Sequence, residues 1–474
     1  MSSLTLQAAA SQLIFLHLSD IHFRKGQSGD PFDLDRVLRR QLEIDAVRVI
    51  TDLNQPVSAI LVTGDIAYAA RPEEYAIARE WLTALAQRVG CPLSNILTVP
   101  GNHDVDRSLA VTDETLSLYH ERLRRCQDDD EVDERLTALL RNETARVLLY
   151  KPLTNYNQFA SELNKCNIAA DTPVWEREFI MDGGILIRVR GLNSVLVSNG
   201  LDNNREHKLV LGAYQTLHSR ESNIEYITLC HHPPDWLIDQ ESVHANLVSN
   251  VRLQLFGHKH NQRRERIEDS IRLVAGAVHP SRAEKKWTPR FNFISMWVTE
   301  ENSKQDINYR IYPRIWHVDE VSFGPKYDLR GNFFQQYTFP LIKQPSALFN
   351  SPLPPLPQSK SSTLAQSDTK EDSTVFVVDS EMERLMKGEA TQLEGLAPAH
   401  RLVARFVDLS PYQRNRIVRL LNLTPDAGSK LTELEYRKYI FQRAAEENKL
   451  AELWDLVEAA HNDGLPEHQN PFAE

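Results

Sequence analysis

At 474 residues, with 41% hydrophobic and 25% charged residues, the chain has an ordinary soluble globular composition and is longer than one hydrophobic core usually supports, so two domains are expected. A formal net charge of −11 argues against a chain that seeks nucleic acid with its whole surface, while leaving room for a local basic groove. Four cysteines, Cys91, Cys126, Cys166 and Cys230, stand without paired spacing, which fits reduced thiols in a cytosol rather than a disulfide framework.

Met1–Gln12 has neither a basic n-region nor a long apolar core, and no stretch approaches the ~20 apolar residues of a membrane span, so a cytoplasmic protein without a membrane partner is expected. Ile14-Phe-Leu-His-Leu-Ser-Asp20-Ile-His22 is an apolar run ending in two metal-capable residues. Along a strand-like backbone, residues two apart point the same way, so Asp20 and His22 can grip one ion together. A Gly- and Ser-bearing loop, Arg24 to Pro31, leads to Asp33–Leu53, whose apolar residues Leu34, Val37, Leu38, Leu42, Val47 and Ile50 are spaced for an amphipathic helix. Ala59-Ile-Leu-Val-Thr-Gly64-Asp65 is a second buried strand, and residues 73–89 repeat the helical pattern. Ile96-Leu-Thr-Val-Pro100 then opens through Gly101 into Asn102, His103 and Asp104. Strand–helix–strand–helix–strand implies parallel strands with right-handed crossovers, which puts every ligand-bearing loop on one edge.

From Arg107 to Leu163 the sequence is helical and charged; the acidic run Asp128-Asp-Asp-Glu131 reads as a solvated loop in preference to a device that repels polyanions. Trp175–Ile180 and Ile185–Val189, with a turn at Gly183-Gly184, start a second sheet. Tyr226–Cys230 ends on His231 and His232, and Leu253-Gln-Leu-Phe-Gly257 ends on His258-Lys-His260. Arg263 to Ala277 reads as a hairpin. Residues 291–299 and 307–318 read as edge strands, and Phe333–Leu341 as the last strand.

Gln344 to Ser373, with five prolines followed by a Ser/Thr/Lys/Asp stretch, reads as a linker. Behind it the chain is helical throughout. Ser410-Pro411 is a helix start, Ile417, Val418, Leu420 and Leu421 form an apolar face, and Pro425 to Gly428 is a break. Thr432 caps Glu433–Glu447, and Leu450, Leu453, Leu456 and Val457 mark a final helix.

Five segments in this order, Asp20-x-His22, Gly64-Asp65, Gly101-Asn-His-Asp104, His231 and Gly257-His-x-His260, resemble the calcineurin-like metallophosphoesterase family over roughly residues 12–282. The resemblance implies an α/β fold, a two-sheet sandwich flanked by helices, with insertions after Gly-Asn-His-Asp forming a cap. It implies that Asp20, His22 and His260 hold one metal ion, that Asn102, His231 and His258 hold the other, and that Asp65 bridges both. It assigns His103 to contact the phosphate and protonate the departing oxygen, with Asp104 orienting it. The family's His-x-Pro spacing favours His231 over His232, which then lines the pocket or is a satisfied buried histidine. Carboxylates, imidazoles and an amide oxygen without cysteine suit Mn, Fe, Zn or Mg, manganese foremost. Two such ions ~3.5–4 Å apart clamp an in-line displacement and acidify a bound water. His279 either lines the same pocket or is structural; Arg24 and Arg107 either touch phosphate oxygens or are surface ion-pair residues.

The expected organisation is a metallophosphoesterase domain over 1–342, a linker over 343–379 and a small all-α interaction domain over 380–474. The last resembles, in arrangement and helix pattern, the death-like or effector-associated adaptor domains fused to enzymes in bacterial conflict systems; the alternative is an oligomerisation bundle. The expected activity is hydrolysis of a phosphodiester or phosphomonoester by a di-metal-activated hydroxide, on nucleotides or nucleic acid, in a defence effector directed by a protein partner. The rival reading is a catalytically quiet metal-binding scaffold acting through its helical domain.

Overall fold

Each apolar run that ends in a candidate ligand is a strand buried over most of its length. In the computed structural model β1 (Gln12–Leu18), β2 (Ala59–Thr63) and β3 (Ile96–Val99) lie side by side and parallel. Both faces are covered, which is why their sequences are continuous apolar runs rather than alternating ones. The structure describes residues 10–26, 33, 35–163, 165–200, 202, 208–216, 223–259, 263–281, 288–301, 304–341, 382, 384, 386, 397–409, 414, 417–418, 421, 423 and 433–461. The chain divides into two units, Met1–Leu353 and Pro354–Glu474.

In the first unit α1 (Asp35–Leu53) joins β1 to β2 and α2 (Pro72–Arg88) joins β2 to β3. Pro72 occupies the first turn of α2, and the Glu74 carboxylate accepts from the backbone N–H of Ala69 and Arg71 at 2.8 and 3.2 Å, closing the helix start. Trp81 of α2 donates to Glu43 of α1 at 2.9 Å. Beyond β3 come α3 (Arg107–Thr112), α4 (Glu114–Arg124), α5 (Asp129–Arg141), α6 (Glu143–Tyr150) and α7 (Thr154–Leu163). The acidic run is not a loop. Asp128 caps α5 by accepting from Glu131 N at 2.9 Å, and Asp129 to Glu131 fill its first turn, where carboxylates complement the helix dipole. Asp129 of the run and Asp133 beyond it also accept from the backbone N–H of Ser242 and Ala213, tying α5 to neighbouring segments.

The remaining strands are β4 (Trp175–Met181), β5 (Ile185–Gly191), β6 (Ile224–Cys230), β7 (Leu253–Phe256), β8 (Arg263–Ile267), β9 (Ser270–Val274), β10 (Arg290–Glu301), β11 (Lys304–His317), β12 (Ser322–Pro325) and β13 (Gln335–Pro340); α8 (Gln240–Asn250) precedes β7. Among the described residues one sheet runs β12-β11-β10-β1-β2-β3, with β13 also paired to β11, and the other runs β4-β5-β6-β7-β9-β8. β5, β6, β7 and β9 are parallel, with antiparallel β4 and β8 outside them. Phe15 of β1 and Phe179 of β4 meet across the layers with ring centroids 5.6 Å apart. The strands expected at the sheet edge are interior ones: β10 pairs with both β1 and β11, and β11 with β10, β12 and β13. Their alternation arises because α1 covers one face and the second sheet the other, so Asn292, Ser295 and Arg314 are buried with partners rather than exposed.

The second unit has helices Pro398–Asp408, Glu433–Glu446 and Leu450–His461. Leu402, Val403, Phe406, Phe441, Trp454 and Val457 form its core. Arg405 and Glu458 make a buried ion pair at 2.7 Å. Linker residues Gln344–Ser373, together with Ser410, Pro411, Leu420, Pro425 to Gly428 and Thr432, lie outside the described residues. Among those described, no helix is long and apolar enough to cross a membrane.

Candidate metal centre

The parallel strands of both sheets end at one edge, and each hands over there to a tight loop. Asp20, His22, Asp65 and His258 all adopt left-handed backbone, with φ of 52°, 54°, 53° and 61°, a conformation costing a non-glycine residue about 1 kcal/mol or more. Asp20 and His22 therefore do not share a direction through strand alternation, because β1 ends at Leu18. Their loop is held instead by backbone bonds: Asp20 N donates to Gly64 O at 3.1 Å, and Ile21 N and His22 N both donate to Asp65 O at 2.9 Å. Two glycines permit the close approach. A Cβ on Gly101 would collide with the Asp65 carboxylate, and one on Gly257 with Ser19, Thr63 and His231.

Asp65 is the centre of the cluster. Its Oδ1 accepts from His103 N at 2.8 Å, and its Oδ2 lies 3.4 Å from His231 Nε2 and 3.8 Å from His22 Nε2. Against the cost of burial, the imidazoles of His231, His22 and His103 hold its carboxyl well below the usual range. His231 Nδ1 lies 2.7 Å from Thr63 O. A carbonyl can only accept, so Nδ1 carries the hydrogen and Nε2 presents either a lone pair or a second proton. That Nε2 is 3.1 Å from Asn102 Oδ1, and His258 Nδ1 is 3.2 Å from the same oxygen. Against burial, Asp65 raises His231 to about 9: the position demands positive charge, from a proton or a cation.

Among the described residues three groups of donor atoms are close enough to hold an ion: Asp20, Asp65 and His231; His22, Asp65 and His103; and His231, His232 and His258, with atoms in each group within 4.8 Å of one another. Asp65 is common to two of them, as a bridging carboxylate would be. His232 Nδ1 lies 2.9 Å from Ser194 Oγ, and burial, then His258 and His231, push it far below its ordinary value. His260 lies outside the described residues.

His103 departs from expectation in its partner. Its Nδ1 is 2.7 Å from Tyr68 O, not on Asp104. The Asp104 carboxylate instead accepts from the backbone N–H of Ile66, Ala67 and Gly101 at 3.1, 2.9 and 2.9 Å, and from Tyr75 Oη at 3.0 Å. It ties the loop after β2 to the loop after β3. His279 serves the backbone: its Nδ1 is 2.6 Å from Ile21 O and its N–H donates to Asp20 O at 3.1 Å. Arg107 Nε donates to Asn102 O at 3.2 Å, and Arg24 stacks 3.9 Å over the Tyr68 ring. Tyr68, Thr63, Ser194 and Trp236, whose ring is 4.2 Å from that of His258, were not legible as site residues, since two act through backbone carbonyls that any residue carries.

The sequence model of the calcineurin-like phosphoesterase matches residues 13–262, more than half the chain. The chain belongs to the calcineurin-like phosphoesterase family. A second family model, the GTPase-associated adaptor domain, matches residues 399–459. An uncharacterized metallophosphoesterase-like protein, YydB, of Bacillus subtilis (strain 168) is 23% identical over 315 residues, 63% of this chain and 59% of that protein. The glycerophosphodiester phosphodiesterase GpdQ of Enterobacter lignolyticus (strain SCF1) is 37% identical over 92 residues, 19% of this chain and 30% of that one. The chain thus spans less than two thirds of either relative. Among solved structures, a Vps29 single mutant from Entamoeba histolytica is 13% identical with a TM-score of 0.28, covering 69% of this chain and 99% of that one. A putative 5'-nucleotidase from Staphylococcus aureus is 12% identical with a TM-score of 0.30, covering 71% and 55%. Both likenesses are too slight to bear on function.

Calcineurin-like phosphoesterases depend on divalent metal, and the cluster fits that requirement. Hard and borderline donors converge without thiols, and an imidazole nitrogen faces two oxygens at a point where electrostatics calls for positive charge.

Proposed function

We propose that this protein hydrolyses a phosphodiester of a nucleotide or nucleic acid with two divalent cations. Asp20, His22 and Asp65 would hold one, joined by His260 from its motif position; Asp65, Asn102, His231 and His258 would hold the other. The observation that carries the reading is His231, with Nδ1 committed to Thr63 O and Nε2 turned to Asn102 Oδ1 and Asp65 Oδ2 at 3.1 and 3.4 Å. Bound cations would supply Lewis-acid charge to the phosphoryl oxygens and lower the pKa of water near them. The residues of the chain supply the rest. Asp65 is held in place by His103 N, and the loops around it by Asp104. His103, with Nδ1–H donating to Tyr68 O, keeps Nε2 for proton delivery to the leaving oxygen, a contribution of about 10²–10⁴ in rate.

Similarity to a glycerophosphodiester phosphodiesterase supports a diester over a monoester. The adaptor match supports a helical unit that docks a protein partner, as an effector in a conflict system would require. The test is turnover by the full-length protein with Mn²⁺ on bis(p-nitrophenyl) phosphate, p-nitrophenyl phosphate, 3',5'-cyclic AMP, single-stranded DNA and RNA. Diester hydrolysis above monoester hydrolysis, extending to at least one nucleotide substrate, is expected. Preference for the monoester would overturn the substrate assignment.

A further inference from the structure

The guanidiniums of Arg252 and of Arg266 on β8 cover the ring of Phe339 on β13 at 5.0 and 5.1 Å, a contact between the two sheets. Three further cations, Arg264, Arg290 and Lys326, lie close enough to act on one another. Arg290 opens β10, and its strand neighbour fixes its direction. Phe291 pairs with Arg314, whose guanidinium reaches Asp45 of α1, so Arg290 and Asn292 face the other way, toward the second sheet. Lys326 extends the β12 ladder through N–H to Pro313 O at 3.0 Å and follows Pro325, which also pairs with Arg314; it too faces inward. Arg264 of β8 is two residues before Arg266 and shares its face.

Among the described residues none of these three side chains makes a hydrogen bond or ion pair, and Arg264 Nη1 and Arg290 Nε are buried without an acceptor. Asp328 and Tyr337 act on Arg264 only through space, the Asp328 carboxylate accepting from Arg330 and Asn332. Burial, then Arg290 and Arg264, pull the Lys326 ammonium below its ordinary value. Three unpaired cations gathered half-buried in a chain of net charge −11 concentrate a positive field at one place. The backbone links Arg290 to the metal centre: Arg290 N donates to Ala277 O at 2.9 Å, and Val278 N and His279 N donate to Ser19 O and Asp20 O at 3.0 and 3.1 Å.

We propose that Arg264, Arg290 and Lys326 bind a phosphate group of the substrate other than the one being hydrolysed, so that the preferred substrate carries several phosphates. The assignment rests on the phosphoesterase reading of the neighbouring cluster. An oligonucleotide and a nucleoside diphosphate share this chemistry.

The test uses the full-length protein, Arg290→Gln/Lys326→Gln and Arg264→Gln. Removing like charges relieves repulsion, so these variants are expected to fold. Relative to bis(p-nitrophenyl) phosphate, which has one phosphate, kcat/KM on a short oligothymidylate or on ADP falls at least about tenfold, through KM, as loss of a charge-assisted contact predicts. Loss on the oligonucleotide alone identifies nucleic acid; loss on ADP alone identifies a nucleoside diphosphate. In chelator, inorganic pyrophosphate raises the Tm of the wild type and not of the double variant. Equal losses on all substrates, or no pyrophosphate effect on folded wild type, overturn the proposal. A wild type that hydrolyses nothing refutes the phosphoesterase reading instead, and the pyrophosphate measurement then decides the cation cluster by itself.

Discussion

His103 Nδ1 lies 2.7 Å from the carbonyl oxygen of Tyr68. The carbonyl fixes the tautomer and the ring plane together, leaving Nε2 as the exchanging atom. His103→Asn is therefore expected to lower kcat by about 10²–10⁴ on a nucleoside leaving group. The loss should be much smaller on p-nitrophenolate, which departs without a proton. Rates across leaving groups of rising basicity check this; equal losses throughout would mean that the ring only binds.

Gly101→Ala is expected to disable the centre from the backbone. The new Cβ would meet the Asp65 carboxylate and its backbone nitrogen, displacing the shared carboxylate. Calorimetric titration with Mn²⁺ should show affinity lower by about 10–100-fold, the range seen when the support of a metal ligand is lost. Unchanged affinity would show that the two loops are free to separate.

Asp45 and Arg314 form a buried two-point pair, with contacts of 2.7 and 2.5 Å, joining α1 to β11. Arg314→Met leaves the buried Asp45 carboxylate facing only the exposed Arg48 guanidinium at 3.7 Å and should cost about 3 kcal/mol in urea unfolding. The double variant Arg314→Met/Asp45→Leu should recover most of that loss, since the pair itself contributes little beyond balancing its own desolvation.

Acid sensitivity follows from buried histidines. Burial, then the nearby Arg124 charge, lowers His120 to about 4, against an ordinary value near 6.5 when unfolded. Between those values the unfolded chain holds a proton that the folded chain lacks. The contribution is thus intact above pH 6.5 and is lost as pH falls toward 4, by up to about 1.4 kcal/mol per pH unit. His120→Leu should flatten the pH dependence of unfolding by as much as one proton; an identical slope would place the acid sensitivity elsewhere.

The strands that end in ligands were legible because burial on both faces leaves uninterrupted apolar runs, and because Gly64, Gly101 and Gly257 mark where segments touch. The geometry at those ends was not. Asp20 and His22 converge through left-handed backbone, a state that spacing alone does not specify. Asp128 looked like part of a solvated loop although an aspartate ahead of acidic residues is also a helix start, and only its contact with Glu131 N separates the two. β12, four residues long, is too short for periodicity to reveal. The His103 partner is a main-chain carbonyl, which leaves no trace in side-chain identity.

Two cations at Asp65, both required for turnover, are tested most directly by metal content and activity on one sample. The full-length protein and Asp65→Asn are stripped with chelator, reloaded with Mn²⁺, dialysed and assayed on bis(p-nitrophenyl) phosphate. The wild type should retain about two ions per chain and hydrolyse the diester, while the variant, still folded, loses at least one ion and its activity. Wild-type protein that binds two ions yet hydrolyses no phosphoester, or activity that survives both chelation and Asp65→Asn, would contradict the assignment, the former leaving a metal-binding scaffold.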